Sequence, residues 1–415
     1  MSIRRSFFTL ATVALTTSLC ADEPNTDEGE NHRPALFRDW ELTGFLELEG
    51  RFYQDSPLDP RQEKSVGGSI ALEPELYRTW DDRGLELTIK PFLRLDAGDS
   101  ERTHFDLREL SFQKLAEKWE LRLGVDRVFW GVTESQHLVD TINQIDLVEN
   151  LDTEDRLGQP MLNFTWLDDW GTVNLFYLPY FRERTFPGID GRFRSQPYVD
   201  TDQTTYESSL EEWHPDIAAR WSHVLGDFDL GLHYFYGTSR DPLFAPTLGH
   251  DGGPALRPIY NLMHQAGLDA QWTKDGWLLK TEALARTGRG QHFQAVVSGF
   301  EYTFYDVGGT GFDAGVLSEY HYDSRGNNAL NPFNHDIFAG TRITLNDEND
   351  TAFLGGVFWD HENDTTALRL EFERRLGERF TLEIEAQKFL ETDPTDLFNS
   401  FRRDSFLEIS VRRYF

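Results

Sequence analysis

The stretch "FTLEIEAQ" (380–387) sets Phe380, Leu382, Ile384 and Ala386 against Thr381, Glu383, Glu385 and Gln387. A period of two is the mark of a strand with one apolar and one polar face. The pattern returns in "WELTGFLELEGRFY" (40–53), "LELTIKPFLRL" (85–95) and "WLLKTEALAR" (277–286). The links between such runs constrain the fold more than the runs do. Short turns fall at 81–84, 116–118, 167–171, 225–227, 273–276, 306–310, 346–350 and 376–379. Between them lie variable, often long links at 54–65, 97–102, 130–159, 183–212, 239–259, 287–291, 324–334, 361–364 and 391–404. Eighteen antiparallel strands follow, with tight turns at one end and long loops at the other. That asymmetry belongs to the all-β transmembrane barrel of bacterial outer membranes. A soluble sandwich or propeller also has short strands, but gives no reason for loop lengths to alternate. Runs near 103–115 and 351–361 have ambiguous phase, which leaves sixteen strands open beside eighteen. Pro74, Pro91 and Pro179 fall inside expected strands, where each removes a ladder donor.

Composition narrows the class. With 40 basic against 71 acidic residues, the chain is not built to neutralise phosphates, so nucleic acid is not an expected partner. No segment holds 18 consecutive apolar residues, which leaves a closed barrel as the way to cross a bilayer. The start reads as an export signal at 1–21: "MSIRR", an apolar run, then "LCA" before a polar stretch. Cleavage after Ala21 is expected, with lipidation of Cys20 as the alternative. It would remove the chain's one cysteine, and with Arg4 and Arg5 it takes the net charge from -31 to -33. Residues 22–39 read as a short periplasmic segment, too short for a folded plug, and 40–415 as one barrel domain.

If the apolar face meets lipid, the polar face lines the interior. The expected pore-lining residues are Lys90, Arg94, Arg122, Arg220, Lys280, Glu282, Arg286, Glu319, Arg342 and Arg369. Buried dry, such ions would each cost several kcal/mol even when paired, and water in a channel removes most of that cost. Cross-strand pairing that braces the wall is the plainer role for any one of them. The link at 130–159 is long, acidic and without strand character. Its Leu138, Ile142, Ile145, Leu147 and Val148 have the spacing of a short amphipathic helix. A loop of that length is usually functional. Folding into the barrel as a cation-favouring constriction and resting on the rim suit the sequence equally. The constriction would be carried by Trp130, Glu134, Asp140, Asn143, Asp146 and Glu149.

"LRLGVDRVFWGVTESQHLVDTINQIDL" (121–147) resembles a strand-plus-loop signature of Gram-negative outer-membrane proteins, through Gly124, Trp130, Gly131, Asp140, Ile142 and Asn143. It departs from that signature at Asp126, Val132 and Gln144. "GFEYTFYDVGGTGFDAGVLSEYHYDSRG" (299–326) followed by "DIFAGTRITLND" (336–347) is similar to later strands of alginate-export-type porins. The resemblance implies a porin-like barrel in a Gram-negative outer membrane and supplies no solute.

The chain has no phosphate-binding glycine loop, HExxH or organised nucleophile motif, so neither an enzyme nor a cofactor is expected. "NDEND" (346–350) and "DHENDTT" (360–366) read as solvated acidic turns rather than calcium loops. The end, "SFLEISVRRYF", places Leu407, Ile409, Val411 and Phe415 on the lipid side and pairs with the strand at 40–53. A terminal Phe on such a strand resembles the signal read by the barrel-assembly machinery. The expected function is a pore for small hydrophilic or charged solutes, as a monomer or trimer surrounded by outer-membrane lipid. The alternative is a non-conducting adhesin or scaffold acting through long loops such as 183–212.

Overall fold

The computed structural model describes residues 40–415. The expected signal at 1–21 and the segment at 22–39 lie outside the described residues. The strands, in chain order, are β1 (Glu41–Tyr53), β2 (Val66–Trp80), β3 (Leu85–Asp96), β4 (His104–Leu115), β5 (Trp119–Asp126), β6 (Gln159–Asp168) and β7 (Gly171–Leu178). Two short strands stand outside the wall, β8 (Tyr198–Val199) and β9 (Thr205–Tyr206). β10 (Asp216–Leu225) and β11 (Phe228–Thr238) resume it, and β12 (Leu243–Leu248) and β13 (Pro254–Tyr260) leave it again. The rest are β14 (Leu262–Lys274), β15 (Trp277–Gly288), β16 (Gln291–Phe304), β17 (Asp313–Asp323), β18 (Asp336–Thr344), β19 (Ala352–Asp360), β20 (Thr366–Leu376), β21 (Phe380–Glu391) and β22 (Phe406–Tyr414).

Eighteen of these form one antiparallel sheet in chain order, and it closes where β22 pairs with β1, from Phe45–Tyr414 to Tyr53–Phe406. Closure leaves no sheet edge unpaired. All eight expected short turns sit at one end, and the long links gather at the other. β8, β9, β12 and β13 make a small second sheet within the long links.

The outward face is apolar over most of its height, through residues such as Leu48, Leu93, Leu162, Leu232, Val316 and Leu370. Aromatic rings flank that band: Trp166, Trp277, Phe304 and Phe380 toward the short turns, Phe52, Tyr177, Tyr234 and Trp359 toward the long links. An exposed apolar belt of this extent with aromatic rims is a surface for lipid, since water would not tolerate it. β22 follows the expected phase, with Leu407 and Ile409 outward and Glu408 and Ser410 buried inside.

Both ambiguous runs are strands of the wall, which settles the count at eighteen. In β4 the pairing with β3 slips, so that Lys90 faces Glu109 while Pro91 faces Leu107. Arg108 is the extra residue of a β-bulge, and the alternation changes phase there. In β19 both faces are apolar: Leu354 and Phe358 are buried inside, while Val357 and Trp359 are exposed outside.

Two of the three prolines share one cause. Pro74 and Pro91 face each other across β2 and β3, where the pairing is interrupted between Leu72–Leu93 and Leu76–Ile89. Neither proline has an N–H to lose there. Pro74 also faces Gly44 of β1, which adopts φ 144°, and a Cβ at Gly44 would lie 2.4 Å from the Glu73 carbonyl oxygen. Pro179 is no strand residue; it opens the link after β7.

Candidate functional site: the barrel interior and the loop that crosses it

The link between β5 and β6, residues 127–158, holds no helix. The expected amphipathic helix is absent because the loop's backbone groups bond to side chains of its own neck and of the wall. At the neck, Asn143 Nδ2 donates to the carbonyls of Asp126 (2.8 Å) and Leu157 (2.9 Å), and its Oδ1 accepts from Val128 N–H (2.8 Å). Asp140 Oδ1 accepts from the N–H groups of Trp130 (2.6 Å) and Gly131 (3.0 Å). Ile142 is buried, and Gly124 holds φ 127° where a Cβ would lie 1.9 Å from the Leu110 carbonyl oxygen. The residues that carry the strand-plus-loop resemblance are thus the ones that shape the loop's exit from the wall.

From the neck the chain reaches β15, β17 and β18. Glu282 of β15 accepts four loop N–H groups, those of Val132 (2.7 Å), Thr133 (2.9 Å), Leu138 (2.7 Å) and Val139 (3.2 Å). Glu319 of β17 accepts from Glu134 N–H (2.6 Å) and Ser135 N–H (2.7 Å) and pairs with the Ser135 hydroxyl. The Glu134 carboxylate lies 2.8 Å from Arg342 Nη2 of β18 and 3.3 Å from Lys280 Nζ of β15. Arg342 also reaches Glu301 of β16 at 3.3 Å.

The loop then turns to the other wall. Asp146 meets Arg108 (2.7 Å) and His104 (3.3 Å) of β4, and Glu149 meets Arg94 of β3 (2.8 Å). Arg51 of β1 donates to the Glu149 carbonyl (2.8 Å). At β20 and β21, Asp152 accepts from Arg369 (3.0 Å) and Asn150 donates to Glu385 (2.9 Å). Apolar contacts fix both parts. Trp130, Val139 and Ile142 pack with Phe176, Phe235 and Met263, while Leu151 packs beside Phe338, Phe358, Phe389 and Phe398. The interior is therefore not polar throughout; two apolar clusters on different parts of the wall hold the loop.

All ten expected pore-lining residues sit on the inward face, and each has a partner. Lys90 pairs with Glu75 (2.5 Å), Arg122 with Asp126, Arg220 with Asp269 (2.7 Å) and Arg286 with Asp241 (2.5 Å). Arg94 joins Glu47 and Glu49 as well as Glu149, and Arg369 joins Glu371 (2.7 Å). Lys280, Glu282, Glu319 and Arg342 hold the loop as described. Arg220 additionally lies over the Trp130 ring, 5.2 Å from its centre. The expected constriction residues are spread along the loop rather than gathered at one point, and Glu134, Asp146 and Glu149 each meet a wall cation.

Several of these groups carry no mark in the local sequence pattern. Arg108 was hidden by the bulge that reverses its phase. Arg240, in the link after β11, donates to the Ile142 carbonyl at 3.0 Å, and nothing in its local pattern marks it. His137 lies between Glu154 (3.3 Å) and Glu282 (3.6 Å); burial opposes its charge, and the two carboxylates outweigh burial and raise its pKa.

The link at 179–215 covers the long-loop end. Arg192 donates to Asp404 (2.7 Å) and to the carbonyls of Lys64 (2.6 Å), Arg403 (2.5 Å) and Asp55 (3.1 Å), with its guanidinium 4.2 Å from the Tyr53 ring centre. Arg194 reaches Asp59 at 2.9 Å. Asp99 accepts from Gly188 N–H (3.1 Å). Burial pushes the carboxyls of Asp99 and Asp404 up to about 6. The longest stretch of this link is folded onto other loops rather than projecting from them.

No protein-family model matches the chain, and no curated protein matches it significantly. Solved structures similar to it include a triple mutant of Rhodopseudomonas blastica porin, at 13% identity and TM-score 0.48 over 91% of this chain and 100% of that one. Another is OmpT, an outer membrane protein of Vibrio cholerae in its trimer form, at 11% identity and TM-score 0.46 over 91% and 99%. The closed wall and its outward apolar belt make this chain an 18-stranded antiparallel transmembrane β-barrel.

Proposed function

We propose that the protein is a channel of the Gram-negative outer membrane that passes small hydrophilic solutes by diffusion. The observation that carries this is the loop 127–158, which is tied to inward side chains of β1, β3, β4, β15, β17, β18, β20 and β21 inside a closed barrel. A loop fixed to walls so far apart narrows the interior by a set amount, which is what a size-selective pore requires. A scaffold or adhesin has no use for it, and the folded-down link at 179–215 offers little to a binding partner.

The inward face toward the short turns carries a surplus of acid from β20 round to β3. Glu73, Glu75, Glu86, Glu371, Glu373, Glu383 and Glu385 stand there with Lys90, Arg369 and Arg412. Glu371 faces Glu385 directly, and Glu373 faces Glu383. Like charges in register weaken a sheet, and a water-filled passage that attracts cations gives them a role. The preferred solutes are small cations and molecules with a cationic end. The partners are the surrounding lipid, the assembly machinery at Phe415 and the solute.

Proteoliposome swelling tests this. Vesicles holding the protein should swell in sugars and amino acids of low mass and stop swelling above a size limit. Swelling no faster than in protein-free vesicles would overturn the proposal.

A further inference from the structure

The acids of the loop do not face open lumen. Glu134, Asp146, Glu149 and Asp152 each lie within ion-pair distance of a wall cation, so the loop's charge is largely cancelled where it sits. Cancellation works in both directions, because the same contacts silence the wall. At β15–β18 one carboxylate serves two cations: Glu134 Oε2 lies 3.3 Å from Lys280 Nζ and 2.8 Å from Arg342 Nη2. Arg342 continues to Glu301 at 3.3 Å, which gives an alternating row of Lys280, Glu134, Arg342 and Glu301 with no net charge. The backbone fixes Glu134 in this gap, since its own N–H and that of Ser135 are both held by Glu319. Thr133 beside it is held by Glu282. The corner thus presents the Glu134 side chain to the row, where its ion pairs with Lys280 and Arg342 hold it.

We propose that Glu134 is a selectivity-determining residue of the channel, acting by masking Lys280 and Arg342 from permeating ions. This rests on the channel reading above. With Glu134 in place, the acidic arc from β20 to β3 sets the field, and cations pass more readily than anions. Glu134→Gln leaves a side chain of the same shape, so the corner keeps its hydrogen bonds to Glu282 and Glu319, while the row gains one positive charge. At about 0.1 M salt the screening length is about 10 Å, enough for that charge to act across a narrowed passage.

The test is the reversal potential in a planar bilayer under a potassium chloride gradient near 0.1 M. Wild type should favour potassium. Glu134→Gln should lower the potassium-to-chloride permeability ratio by about threefold or more. The double variant Glu134→Gln with Lys280→Gln has the wild-type net charge, and should regain most of the wild-type ratio. A displaced loop would not be repaired by removing a lysine, so this recovery separates masking from misfolding. An unchanged ratio in Glu134→Gln, or a lowered ratio that Lys280→Gln fails to restore, would overturn the proposal. Absence of discrete conductance in every form, wild type included, would instead refute the channel on which it rests.

Discussion

The two longest links of the barrel are held in opposite ways. Residues 127–158 are fastened to strands: Glu282, Glu319, Arg342, Arg94, Arg108 and Arg369 all lie on the wall, and Asn143 ties the neck to the end of β5 at Asp126. Residues 179–215 are fastened chiefly to other links, through Arg192, Arg194 and Asp99. A loop tied to a closed sheet shares the sheet's stability, whereas one tied to loops opens when any of them opens. The inner loop thus shares the stability of the wall, and the outer one is a cover whose hold depends on a few side chains.

The contrast can be broken first at the inner loop. Deleting residues 134–155 should raise single-channel conductance severalfold, the largest effect expected of any change to the chain. Next is the cover. Arg192→Ala leaves Asp404 without its partner and the carbonyls of Asp55, Glu63, Lys64 and Arg403 without this donor. Breaking a buried pair in this way costs about 3–5 kcal/mol. Hydrogen exchange across 185–205 should then accelerate by two or more orders of magnitude, with the wall strands unchanged. Equal protection before and after would show that the cover is held by something other than Arg192.

A smaller effect sharpens the same difference through pH. Asp99 and Asp404 have pKa values of about 6 with the cover in place, above the ordinary carboxyl value near 4. Between those limits the closed cover binds more protons than the open one. Its stability therefore rises as pH falls through that window and is lower at pH 7. Proteolysis within 179–215 should be slower at pH 5 than at pH 7, using a protease equally active at both. Faster cleavage at pH 5 would reverse the assignment. At the far end of the wall, deleting Phe415 should reduce the yield of assembled, heat-modifiable barrel; normal assembly would leave that ring as a lipid-facing anchor only.

Most of the wall was legible because each strand repeats one local rule. Leu46, Leu48, Phe52, Leu407 and Ile409 face outward simply because they alternate with Glu47, Glu49, Glu408 and Ser410. The short turns were legible for the same reason, since a change of phase between two alternating runs needs only a few residues. The rule fails where the wall itself departs from it. Arg108 sits at a bulge, and β19 is apolar on both faces because its inner side packs against Phe338, Phe389 and Phe398.

The interior was legible in part. Alternation placed Lys280, Glu282, Glu319, Arg342 and Arg369 inward, but alternation carries no information on what meets them there. Glu134 and Arg342 are brought together by barrel closure and by a loop without a period, so neither residue's neighbours announce the other. The helical spacing of Leu138, Ile142 and Ile145 misled for a related cause. Wall carboxylates supplied the hydrogen-bond partners that a helix would have supplied internally.

A closed wall and a wall-anchored inner loop should together make a narrowed, conducting passage. Single-channel recording of the wild type beside the 134–155 deletion tests it most directly. Both should show discrete steps, with the deletion conducting several times more. A silent wild type, or two forms of equal conductance, would contradict it.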